Sequence, residues 1–123
     1  MNFLLVGLGG FCGAIARYLI YLAEQSSGAR TFPFGTLFIN LLGCFLAGLL
    51  MAAAERALPI HRNMILMWSM GVIGSFTTFS TFSVESLQLL RSSQLALAIV
   101  SVTANIIFGI GAVWFGRFLI MRS

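Results

Sequence analysis

The chain contains no lysine and no aspartate, and it has only three glutamates and one histidine. Charged residues make up 8% of it, against about a quarter in soluble domains. That scarcity excludes an ordinary water-soluble fold, and a hydrophobic content of 59% places the chain among polytopic membrane proteins. Glu24, Glu55 and Glu85 lie at or near the ends of apolar runs, and His61 stands alone in a connection. No acid–base pair is therefore available for enzyme chemistry. A single histidine also cannot gather the convergent ligands of a transition-metal site. Cys12 and Cys44 fall inside apolar runs without CxxC spacing, so they read as small packing residues and say nothing about redox compartment. The net charge of +4 comes from seven arginines. They are dispersed, with no basic run interleaved with aromatics, which argues against a nucleic-acid partner. Most of them stand at span ends, where they snorkel to the interface.

What is present is length for about four spans of ~20 residues, with no room for a separate soluble domain in 123 residues. The expected architecture is a single all-α membrane domain with spans at about 3–22, 35–54, 64–90 and 95–120. Met1-Asn2 leads directly into apolar sequence with no basic region or cleavage site, so the first span reads as retained and not as a signal peptide. Gly9 and Gly13, and Gly10 and Ala14, are four apart and form a helix-packing stripe. Arg17 lies a turn before the end of span one; it either snorkels or meets a buried partner. Pro33 and Gly35 mark the entry to span two.

Span three contains the most unusual stretch, Gly71 to Ser83. Two glycines open it, and six hydroxyl side chains and three phenylalanines follow between Ser75 and Ser83. One reading is a helix broken near 74–78 at a permeation or binding site, since irregular backbone at membrane depth is tolerated only inside protein or beside a wet cavity. The other is an unbroken helix whose hydroxyls bond back to its own carbonyls. Phe76, Phe79 and Phe82 are spaced by three, which predicts a ring stack on one face that Glu85 continues. In span two, Thr36, Asn40, Gly43 and Ala47 share a face; in span four, Ser101, Asn105 and Gly109 do. Each mid-membrane asparagine is open to two readings, an interhelical hydrogen bond or a donor to a permeating solute. Two asparagines on different helices, together with the hydroxyl-rich stretch, converge on a polar pathway.

Four spans put both termini on one side, with Arg56, Arg62, Arg117 and Arg122. Arg30 and Arg91 lie opposite, with Arg17 near that interface. Orientation follows the Lys/Arg bias, and four against three is almost none. Insertion both ways up, and an antiparallel homodimer about a two-fold axis in the membrane plane, are the expected consequences.

Three segments carry a family resemblance: Gly13-Ala14-Ile15-Ala16-Arg17-Tyr18, Pro33 to Asn40, and Gly71 to Glu85 with its Thr-Thr-Phe-Ser-Thr-Phe core. In these and in length, span count and motif order, the chain resembles the Fluc/CrcB fluoride channels. The resemblance implies a dual-topology homodimer in a bacterial inner (plasma) membrane, passing fluoride out of the cytoplasm through two pores and conferring fluoride resistance. It also implies a structural sodium ion at the dimer centre, held by backbone carbonyls matching Gly74 and Thr77. Phe79 and Phe82 match the pore phenylalanines, Asn40 the pore asparagine, and Ser80 and Thr81 the polar track beside the rings. Arg17 and Glu85 match a motif arginine and glutamate; with Thr36, Ser101 and Asn105 they are the further pore-lining or vestibule candidates.

The residues suit that chemistry. Fluoride is small and strongly hydrated, so a pore must replace its water with donors. Asn40, Ser80, Thr81 and Asn105 offer N–H and O–H groups, and aromatic edges are electropositive. Individually weak contacts permit exit as well as entry. Carbonyl oxygens suit sodium and not zinc. The alternative is a proton-coupled small multidrug-type transporter, which wants a carboxylate deep in span one; Glu24 lies only at its end. A third class, a membrane assembly subunit with no transport role, would use the polar faces only as packing glue.

Overall fold

The computed structural model describes residues 2–28 and 31–122; Arg30, one of the arginines in the charge comparison, lies outside them. Four stretches among the described residues are long and apolar enough to cross a membrane: α1 (Asn2–Ser27), α2 (Phe34–Glu55), the composite stretch Arg62–Arg91, and α6 (Leu95–Arg122). The protein is an all-helical, multi-pass membrane protein.

The composite stretch has several parts. A short helix α3 (Arg62–Leu66) is N-capped by His61, whose Nδ1 accepts from the Asn63 N–H at 3.2 Å. That gives the lone histidine a structural task at the helix start. A π-helical segment, Met67–Ile73, follows, then α4 (Gly74–Phe76), two extended residues, and α5 (Phe79–Arg91). The turn from α5 to α6 is tight. Ser93 takes a left-handed φ of 60°, and the Gln94 N–H reaches the Leu89 carbonyl at 2.9 Å.

The helices pair off through small residues, as apolar segments must when lipid offers no hydrophobic drive between them. α1 lies along the π-helical segment and α4. At Gly9 and Gly13 the backbones come so close that a Cβ would meet the Met67 and Val72 carbonyls. α2 packs along α6, with Gly48 against the Val113 carbonyl and Gly116 against that of Phe45. The buried interior is thin. It contains Ile39, Ala52, Phe76 and Ala98, but also the polar Thr36, Thr78 and Ser101. Large apolar side chains such as Phe3, Phe11, Ile107 and Phe108 point outward, which is what a lipid solvent favours.

Candidate functional site

The centre of the site is the two-residue interruption between α4 and α5. Thr77 (ψ 157°) and Thr78 (φ −149°, ψ 114°) are extended. In a continuous helix, the Thr78 N–H would donate to the Gly74 carbonyl and the Thr81 N–H to the Thr77 carbonyl. Neither does so here. The Thr78 N–H donates to Asn40 Oδ1 at 3.0 Å, and the Thr81 N–H donates to Thr78 Oγ1 at 3.2 Å. Gly74 and Thr77 therefore present carbonyls that have lost their helical donors. Two freed, hard backbone oxygens fit an alkali cation such as sodium. They are too few to complete a coordination shell from one chain.

Asn40 closes the interruption like a missing strand partner. Its amide accepts from the Thr78 N–H while Nδ2 donates to the Thr78 carbonyl at 3.3 Å and to Asn105 Oδ1 at 2.9 Å. Because the Thr78 N–H needs an acceptor, the amide orientation is fixed. Asn105 in turn donates from Nδ2 to the Ser101 carbonyl at 2.9 Å. Of the two readings open for the asparagines, the interhelical hydrogen bonds are thus made. A solute reaching Asn40 competes for donors already in use.

Beside this cluster is a cavity of about 420 Å³, lined by Asn40, Cys44, Thr77, Thr78, Phe79, Phe82 and Asn105 among others. The Phe79 and Phe82 rings lie 5.8 Å apart at 50°. The expected three-ring stack is corrected by the structure: Phe76 is 5% exposed and packed inward, whereas Phe79 is 79% exposed. The two extended residues between them rotate the chain, so helical spacing does not carry across. Ser80 is exposed, with its hydroxyl 3.4 Å from Thr78 Oγ1, and the Thr81 hydroxyl accepts from Thr78 Oγ1 at 3.0 Å.

The remaining candidates lie elsewhere. Thr36 is 1% exposed and bonds Tyr21 Oη at 3.1 Å. Ser101 is equally buried, and its Oγ has no hydrogen-bond partner. Glu85 faces a second cavity, about 410 Å³, with Glu24, Gln88, Ser92 and Gln94; its Oε2 is buried without a hydrogen-bond partner. Arg17 is half-buried, and neither a hydrogen bond nor an ion pair is found for it among the described residues.

The family model described as "CrcB-like protein, Camphor Resistance (CrcB)" matches residues 4–117. The chain belongs to the CrcB family. It is similar to the "Fluoride-specific ion channel FluC" of Idiomarina loihiensis, 43% identical over 93% of this chain and 88% of that one. The protein of the same description from Oceanobacillus iheyensis is 45% identical over 94% and 88%. That from Solibacter usitatus is 37% identical over 99% and 100%.

Three contributors to the site of this CrcB chain escape a reading of the sequence. Thr78 both caps α5 and meets Asn40; a threonine three residues before another hydroxyl, after a glycine-rich run, is the signal that could have found it. Tyr21 and Glu24 sit at the end of α1, and nothing local marks their contacts with α2, which are tertiary.

Proposed function

We propose that this protein is a fluoride channel, exporting cytoplasmic fluoride passively across the inner membrane of a bacterium. What carries the reading is the cavity at the interrupted third stretch, where two phenylalanine rings and amide and hydroxyl groups converge, in a chain whose relatives bear the fluoride-channel name. Family and relatives alike speak for a conduit and not an enzyme.

Phe79 and Phe82 border the cavity with edges that tolerate an anion while repelling water. Ser80, Thr81 and the Asn40–Asn105 pair supply donors that replace hydration. The Asn40 and Asn105 amide donors are already engaged with protein acceptors. An arriving anion therefore exchanges one hydrogen bond for another and is not held tightly, which suits throughput. Phe79 is exposed, and the polar cavity opens beside it. Polar groups left against lipid are costly. A second, antiparallel copy covering this face supports both the weak arginine bias and two pores per dimer. Gly74 and Thr77 would then contribute carbonyls from each copy to a central sodium ion, whose charge would favour anions nearby.

The test is ion efflux from liposomes holding the purified protein. Fluoride efflux with negligible chloride efflux is expected, slowed about tenfold or more in Phe79→Ile and in Phe82→Ile by loss of the edge contacts. Equal passage of chloride would overturn the fluoride-specific reading. Cation uptake driven by a pH gradient would support the transporter instead. Labelling a single loop cysteine from both faces of intact cells tests dual topology; labelling from one face alone would contradict it.

A further inference from the structure

The first turn of α2 has no cap of its own. Pro33 occupies the N-cap position and makes no side-chain cap bond. The Phe34 N–H turns back to the Phe32 carbonyl at 2.9 Å. The Gly35 N–H instead donates to Glu24 Oε1 at 2.8 Å, so the cap comes from the last turns of α1. A second contact runs alongside it, Tyr21 Oη to Thr36 Oγ1 at 3.1 Å. Gly35 is buried, and a Cβ there would collide with Glu24 Oε2. The absent side chain is what admits the carboxylate. A helix N-terminus favours negative charge, and here a tethered carboxylate fills that place at the wall of the second cavity. Asn40 lies on the same helix, about 7.5 Å of rise beyond Gly35.

We propose that Glu24 is a positioning residue for the pathway. It fixes the first turn of α2 to α1, and through α2 it holds Asn40 in register with Thr78. Its own carboxylate is committed to the Gly35 N–H and does not take part in conduction. This inference rests on the fluoride-channel reading only for its transport readout.

The experiment compares wild type, Glu24→Ala and Glu24→Gln as full chains in liposomes. Each is also assayed by amide hydrogen exchange over Gly35 to Leu37. Glu24→Ala is expected to slow fluoride efflux about tenfold, the scale of one lost hydrogen bond to a charged acceptor, and to raise exchange over the first turn of α2. Glu24→Gln keeps an acceptor of the same reach and is expected to stay within about twofold of wild type on both readouts. Gly35→Ala evicts the carboxylate without altering it. It should reproduce the Glu24→Ala behaviour, with a double variant no worse than either single. Unchanged exchange in Glu24→Ala, a Gln variant as impaired as the Ala variant, or additive losses in the double would each overturn the proposal. If wild type passes no fluoride, the channel reading fails, and the exchange data alone decide the role of Glu24.

Discussion

α2 and α5 each begin beside a cavity, and they are capped in opposite ways. α5 is capped from within its own segment: the Thr78 hydroxyl takes the Thr81 N–H. α2 is capped from another helix: the Glu24 carboxylate takes the Gly35 N–H. Unsatisfied backbone groups at membrane depth cost several kcal/mol, so some cap is required in either place. Where the cap comes from decides which parts of the chain move together. The interruption at Thr77 and Thr78 caps α5 with its own hydroxyl but relies on Asn40 for the Thr78 N–H and carbonyl. The start of α2 takes the acceptor for its Gly35 N–H from α1. One helix start is thus capped from its own segment, and the other is capped across segments.

The sharpest way to break the comparison is at its one crossing point, Asn40. Asn40→Ala removes the acceptor for the Thr78 N–H, a donor to the Thr78 carbonyl and the link to Asn105 together. Thr78 is 5% exposed, so its N–H is left unpaired away from water. The combined loss is of the order of 3 kcal/mol, which corresponds to a fall in fluoride efflux of about a hundredfold. Efflux measured beside size-exclusion profiles checks this, since a variant that merely loses its fold or assembly would show a shifted elution volume. An Asn40→Ala channel at wild-type rate would show that the interruption is held without α2.

The next effect separates local from remote capping. Thr78→Val keeps the shape but deletes the cap and the donor to Thr81 Oγ1. Cap loss costs roughly 1 kcal/mol, with an upper end near 2, so efflux should fall by about five- to thirtyfold. Thr78→Ser keeps the hydroxyl and should stay close to wild type. Hydrogen exchange in the first turn of α5 should rise in the valine variant while the first turn of α2 is unchanged. A rise at both starts would mean that the two caps are one coupled unit.

Much of this arrangement was legible before the structure, and the reasons differ from residue to residue. The membrane class followed from composition, because a lipid solvent leaves few options for a chain so poor in charge. Asn40, Asn105, Phe79 and Phe82 stand out as amides or rings in apolar runs, Thr77 enters through the family resemblance as a carbonyl, and all five line one cavity. Phe76 was misplaced because helical spacing was carried through two residues that are extended. Thr78 does not stand out among the six hydroxyls of its stretch, because its N–H and carbonyl meet Asn40 only where the chain is extended and its hydroxyl becomes a cap only where α5 begins. Glu24 was read only as an end-of-span charge, since the contact that uses it is eleven residues away on another helix. Tertiary hydrogen bonds of that kind leave no periodic trace.

The smallest effect is expected at the other end of α2, where a second glutamate gives the comparison its control. Glu55 closes the helix as Glu24 opens it, and it too reaches another segment: its Oε2 lies 2.9 Å from Arg117 Nη2 on α6. The chemistry looks alike, but the setting does not. A carboxylate at a helix C-terminus works against the macrodipole, whereas at an N-terminus it works with it. The two side chains are 40% and 37% exposed, so water and salt screen the pair, and such surface ion pairs contribute roughly 0–1 kcal/mol. Among the described residues, no backbone N–H depends on Glu55 as the Gly35 N–H depends on Glu24. The Arg56 N–H that follows is already satisfied by the Ala52 carbonyl at 3.0 Å. Glu55→Gln should therefore leave efflux within about twofold and thermal stability nearly unchanged, with the residual difference vanishing at high salt. If Glu55→Gln instead matched Glu24→Ala, loss of any charge at the ends of α2 would suffice to impair the channel. The distinction between a carboxylate that caps backbone and one that merely pairs with arginine would then collapse.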